Sequence, residues 1–245
     1  LAKCLEIASG KNYAELLQEY VFNPAGMKDS LDFNGEMIME RRAQDYLLDE
    51  RVYFNAPLKD YSFLVGAGSV FSTAHDIHKF GEAFHNGTYG EISKQNFVRE
   101  GVFQSNGSTN GHRSYVKINT SKKYGYVLLA NLSTGASDMI LQALEKILEG
   151  KDVAAPIIPK PNFLPSLIST TEFLGRYQSS NNRSFELTVK NNVLYAGDRK
   201  LMPIKTDCFF DFKSYGEVCF KRDGNRRITE MTWTSDGATS NWVRQ

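Results

Sequence analysis

The sequence predicts an α/β (α+β) domain followed by a small antiparallel β-barrel. Helical periodicities bracket a hairpin pattern in the first 150 residues, and four of the seven prolines then fall between 156 and 165. Short strands punctuated by turns fill the remainder. With 245 residues, 41% apolar and 23% charged, the chain is long enough to bury a substantial core.

The first clear helix spans residues 12 to 22, where Tyr13, Leu16, Leu17, Tyr20 and Val21 share one face. Asn12 and Glu15 form the capping pattern, and Pro24 and Gly26 stop the helix. A second starts at Ser72 or Thr73, carries Ile77, Phe80 and Phe84 on one side and ends at Asn86-Gly87, with Asp76 read as the capping partner of Thr73. Ser114 to Ile118 and Tyr124 to Ala130 alternate as strands around the polar turn 119–123. A third helix from Ser137 to Glu149 is expected to bury Met139, Ile140, Ala143, Leu144, Ile147 and Leu148, and to be able to cover that hairpin.

Pro156, Pro159, Pro161 and Pro165 favour an extended connector, which sets domains at 1–152 and 171–245 with a linker at 153–170. Beyond it, strands are expected at Phe185–Val189, Val193–Ala196, Cys208–Phe212, Val218–Lys221, Ile228–Thr234 and Asn241–Arg244. Asn191-Asn192, Gly197-Asp198, Tyr215-Gly216 and Asp223-Gly224 separate them. Trp233, Trp242, Phe209, Phe210 and Phe212 are expected to fill the barrel rather than line a ligand cavity.

Composition disfavours several function classes. A formal charge of +1 with scattered basic residues argues against nucleic acid and acidic lipid as partners. No run reaches the roughly 18 apolar residues of a membrane span, and Leu1 opens no signal-peptide pattern. Cys4, Cys208 and Cys219 have neither Cys-x-x-Cys spacing nor a nearby histidine, so no metal is expected. Cys208 and Cys219 are placed to face each other and oxidise, with buried thiols the commoner outcome. His75, His78 and His85 read as solvated helix residues, and Lys221, Arg222, Arg226 and Arg227 as a charged hairpin tip.

Three stretches carry a resemblance. Ser9-Gly10-Lys11-Asn12-Tyr13-Ala14-Glu15-Leu16-Leu17, continuing through Phe22-Asn23-Pro24-Ala25-Gly26-Met27, resembles the segment after the second catalytic motif of serine β-lactamase-like hydrolases. That group includes class C β-lactamases, D-aminopeptidases and family VIII esterases. Gly66-Ala67-Gly68-Ser69-Val70-Phe71-Ser72-Thr73-Ala74 with Asp76 resembles the group's glycine-rich loop and following helix, and Gly107-Ser108-Thr109-Asn110-Gly111 its third motif. The resemblance covers residues 1 to about 150. Residues 171–245, opening with Glu172-Phe173-Leu174-Gly175-Arg176-Tyr177, are similar to the lipocalin-like barrel often appended to such hydrolases.

The resemblance implies acyl transfer on a small-molecule or peptide substrate, with no cofactor, in an extracytoplasmic or periplasmic setting. Such chemistry needs a serine with a lysine one helical turn on, a Tyr-x-Asn tyrosine, and a strand bearing Lys or His before glycine. The literal Ser114-Tyr115-Val116-Lys117 falls in a strand, where residues three apart point to opposite faces. Tyr53-Phe54-Asn55 lies downstream of where the family places its tyrosine. The third motif reads Ser105-Asn106-Gly107, with a neutral hydroxyl in place of the titratable residue, and Ser108 supplies a candidate oxyanion-hole amide. Gly66, Gly68 and Ser69 complete the candidate substrate wall. The stretch 96–104 is too short for the strand that relatives carry before this motif.

The expectation is therefore the C-terminal portion of such a hydrolase, beginning after the nucleophile and inactive alone in that chemistry. Loss of the nucleophile in comparable enzymes costs on the order of a millionfold in turnover. An N-terminal fragment or a second copy is expected to cover the open sheet and cleft. Two alternatives stay open: a non-catalytic binding protein derived from the fold, and an enzyme with different chemistry such as glycoside hydrolysis, for which no carboxylate pair stands out.

Overall fold

The structure is a computed structural model that describes residues 1–33, 35–49, 52–57, 60–109, 111–154, 169–235 and 238–245. The chain divides into two compact units, one of Leu1–Tyr46 with Asn55–Leu132 and one of Leu47–Phe54 with Ser133–Gln245. Most of the proline-rich connector, residues 155–168, lies outside the described residues.

The first unit opens with helices α1 (Ala2–Ser9) and α2 (Tyr13–Leu17). The expected capping box forms: Glu15 N donates to Asn12 Oδ1, and Asn12 N to Glu15 Oε2, each at 2.9 Å. The helix runs on as a π-helical turn, Gln18–Phe22, and a short α3 (Asn23–Ala25), and stops at Gly26 in the left-handed conformation. Leu17, Phe22 and Met27 form its buried face. Strand β1 (Leu31–Asp32) pairs antiparallel with β4 (Val70–Phe71). Between them in sequence lies the hairpin of β2 (Tyr46–Asp49) and β3 (Val52–Asn55), of which Leu47–Phe54 belongs to the second unit.

Helix α4 (Ala74–His85) begins as expected at Thr73, but the cap is made differently. Thr73 Oγ1 accepts from Asp76 N at 3.2 Å, whereas the Asp76 carboxylate turns inward to Asp29 N, Ser30 Oγ and Lys79 Nζ. After α5 (Glu91–Phe97) comes an antiparallel sheet in the order β5-β6-β7-β8: Val98–Arg99, Val102–Ser108, Arg113–Asn119 and Tyr124–Ala130. The helix packed on this sheet is α4. Phe84 stacks on Phe103 with centroids 4.7 Å apart, and Val116 and Ile118 complete the core between helix and sheet.

The second unit is built on a closed eight-stranded antiparallel barrel. Its strands are β9 Gly175–Ser179, β10 Ser184–Lys190, β11 Val193–Ala196, β12 Arg199–Lys205, β13 Cys208–Asp211, β14 Gly216–Arg222, β15 Ile228–Ser235 and β16 Ala238–Arg244. Six were expected. The other two, β9 and β12, carry glycine, proline and charged residues that hide their alternation, and they appear because closing a barrel leaves no free edge. Tyr177, Leu187, Leu194, Leu201, Phe209, Val218 and Met231 fill the interior. A 3₁₀ turn, Thr170–Phe173, plugs one end with Phe173 against Phe209 and Phe220.

Three expectations change here. Phe210 and Phe212 alternate with Phe209, so they are buried against each other and Tyr215 rather than in the lumen. Cys208 and Cys219 are direct partners across β13 and β14 with Cα atoms 4.1 Å apart, and are joined as a disulfide rather than left as thiols. Helix α6 (Ala136–Leu148) has the expected period, yet of its residues only Ser137 is buried, and Ile140, Ile147 and Leu148 are exposed. No helix among the described residues is long and apolar enough to cross a membrane.

Candidate functional site

Strand β6 places the third-motif residues on an open sheet edge. β5 pairs with β6 only at Val98↔Phe103 and Arg99↔Val102, and beyond Phe103 the outer edge meets no strand among the described residues. Thr109 N donates to His112 O at 3.1 Å, which fixes the ladder phase. Backbone groups of the odd-numbered residues face β7, and those of Gln104, Asn106 and Ser108 face outward. The Ser108 N–H therefore points to the open side.

Side chains follow the complementary rule. Ser105 pairs with Val116 and shares the α4 side of the sheet with Phe103, while Asn106 and Gln104 lie on the opposite face. Residues 104–108 are all exposed. A depression of about 270 Å³ lies against this strand, lined among others by Gln104, Ser105, Asn106, Tyr115, Lys117 and Tyr126. The strand presents outward amides and carbonyls, with the neutral Ser105 hydroxyl on the α4 side and Gln104 and Asn106, beside Tyr115, Lys117 and Tyr126, on the other. It does not offer a charge at position 105.

The β6–β7 turn is held from behind by groups that are distant in sequence. Gly111 has φ +88°, and a Cβ there would lie 2.7 Å from Asp45 Cβ. The buried Asp45 carboxylate accepts from Tyr61 OH at 2.9 Å and sits 3.4 Å from His112 Nδ1. Burial, then the hydrogen bond to Asp45, raises the Tyr61 phenol above its ordinary pKa. Arg42 approaches the same carboxylate at 3.9 Å and lies over Phe71 at 5.1 Å. His112 thus faces Asp45 from the β7 side of the turn. Asp45, Tyr61 and Arg42 had no local motif to mark them.

The glycine-rich loop serves packing. A Cβ on Gly66, at φ +77°, would meet Ala2 Cβ at 2.7 Å, and one on Gly68 would meet Leu64 Cδ1 at 3.2 Å. Ser69 is 1% exposed and donates to Asp32 Oδ1 across the β4–β1 pair, so its hydroxyl is committed to the fold and not to a ligand. Ser114 pairs with Gly107 and Lys117 with Gln104, on opposite faces of β7, so the literal Ser-x-x-Lys does not assemble. Tyr53 is exposed on β3. His78 lies 3.5 Å from Glu82, and His85 Nε2 is 3.1 Å from Ile118 O, so these histidines do not converge.

Comparison with known proteins agrees with this architecture. The beta-lactamase family model matches residues 1–150. Penicillin-binding protein 4* of Bacillus subtilis (strain 168) is 23% identical over 236 residues, covering 80% of this chain and 52% of that protein. Among solved structures, FmtA from Staphylococcus aureus is similar with TM-score 0.53 and 18% identity, covering 64% of this chain and 49% of that one. The octameric penicillin-binding protein homologue from Pyrococcus abyssi is similar with TM-score 0.50 and 20% identity, covering 99% of this chain and 62% of that one. The chain thus spans about half the length of the curated relative it matches. With the family model covering more than half of its residues, the chain belongs to the beta-lactamase family.

Proposed function

We propose that β6 forms one wall of an acyl-transfer site for an amide, ester or β-lactam, and that this chain holds the ligand there without supplying a nucleophile. The outward Ser108 N–H on an unpaired edge carries this reading, because it is half of an oxyanion hole. In the complete protein, an N-terminal segment supplies the serine, lysine and tyrosine, and that segment or a second copy covers the open edge. The half-length match to the curated relative supports this division of labour. The disulfide supports an oxidising, extracytoplasmic setting.

Ser105 sharpens the ligand class. A hydroxyl donates one hydrogen bond but no charge, so position 105 itself favours a neutral carbonyl over a free carboxylate, with Lys117 on the opposite face of the sheet. Binding of a neutral N-acyl-D-amino acid amide is the test, followed by amide chemical shifts of the full chain. Ser108→Pro removes an N–H that the ladder does not use and is expected to weaken binding about tenfold. Ser105→Lys is expected to reverse the preference toward the carboxylate analogue. Unchanged affinity in Ser108→Pro contradicts the proposal.

A further inference from the structure

We propose that Cys208, Cys219 and Glu217, once the disulfide is reduced, form a three-ligand site for a thiophilic divalent cation on the outer face of the barrel. The three side chains come from one hairpin. Cys208 and Cys219 are direct cross-strand partners, and Glu217 precedes Cys219 by two residues on the same face of β14. In the oxidised hairpin the three donor atoms lie within 4.8 Å of one another, two of them as the bonded sulfur pair with Cys208 buried, and no other such trio of His, Cys, Asp or Glu exists among the described residues. Val218 and Phe220 alternate with them into the packed interior, so the ladder holding the three donors rests on a rigid core.

The donor set selects the cation. Two thiolates and one carboxylate suit zinc or cadmium, with the fourth tetrahedral position left to water, and do not suit calcium or magnesium. Sequence spacing gave no metal because it lacked a histidine; register across the hairpin supplies a glutamate instead. Lys205 competes for that glutamate, with Nζ 2.7 Å from Glu217 Oε1, but it is mostly exposed and free to swing into water.

The two states exclude each other. A thiol or phosphine reductant delivers two electrons, the S–S bond breaks, and each sulfur takes up one proton. Cation binding then displaces both protons. The oxidation state of the pair thus decides whether the site exists.

The full chain, reduced with a phosphine and titrated with Cd²⁺, tests this through the ultraviolet thiolate-to-metal absorption. One cation per reduced chain and none per oxidised chain is the expected result. Cys219→Ser is expected to abolish the absorption. Glu217→Gln is expected to weaken binding at least tenfold, and Lys205→Met to strengthen it. A two-thiol chelate without the carboxylate moves with neither of the last two, so unchanged affinity in Glu217→Gln overturns the proposal. A barrel that loses its near-ultraviolet tryptophan dichroism on reduction overturns it equally, because the site needs the ladder intact.

Discussion

Asp76 is fully buried, and its carboxyl is nevertheless held below the usual carboxylate range. Burial alone raises it; the hydrogen bond from Lys79, then those from Asp29 N and Ser30, outweigh that effect. A folded-state pKa below the unfolded one stabilises the fold fully above about pH 4, the unfolded carboxylate value. That stabilisation is lost as pH falls from there through the lower folded value. Asp76→Asn leaves Lys79 without its charge partner and is expected to cost about 3 kcal/mol in urea unfolding at neutral pH. The same variant should show a shallower loss of stability on acidification. The sequence marked Asp76 as a cap because it sees only the spacing from Thr73. The inward turn depends on Asp29 and Ser30, which lie 47 and 46 residues away.

At the scale of elements, the contact of α4 with the sheet is set by the absence of a side chain. A Cβ on Gly81 would lie 2.8 Å from Ile118 Cγ1 and 3.2 Å from Phe103 Cδ1. Helix propensity favours Gly81→Ala by about 1 kcal/mol, and overpacking opposes it by about 1–3 kcal/mol. Overpacking wins because both neighbours are buried, so the variant should unfold with about 1 kcal/mol less stability, read as a lower urea midpoint. The helix itself was legible from Thr73, Ile77, Phe80, Phe84 and Asn86. Its seat on β6, β7 and β8 was not, since propensity speaks against glycine there and only the packed partner explains it. Strand β6 was recognisable only through its motif, because Ser105-Asn106-Gly107-Ser108 has the chemistry of a turn. That the candidate residues of this motif share one strand was therefore readable. The Asp45, Tyr61 and His112 network behind them was not, because it is assembled from three separate segments.

At the scale of the whole molecule, the chain combines a beta-lactamase-family unit with a barrel whose interior is filled by its own side chains. The Cys208–Cys219 pair lies on the side of β13 and β14 that faces away from this filled lumen. In the first unit, the sheet face opposite α4 carries Gln104, Asn106, Tyr115, Lys117 and Tyr126, a polar and aromatic surface. The proposal for the first unit is that β6 holds a ligand and that no serine among the described residues stands beside it in the geometry of a nucleophile. Intact-mass measurement of the 245-residue chain after incubation with a fluorophosphonate, and separately with a penicillin, tests it most directly. An unchanged mass in both is the expected result, and one stoichiometric phosphonyl or acyl adduct on a serine would show that the chain does supply a nucleophile.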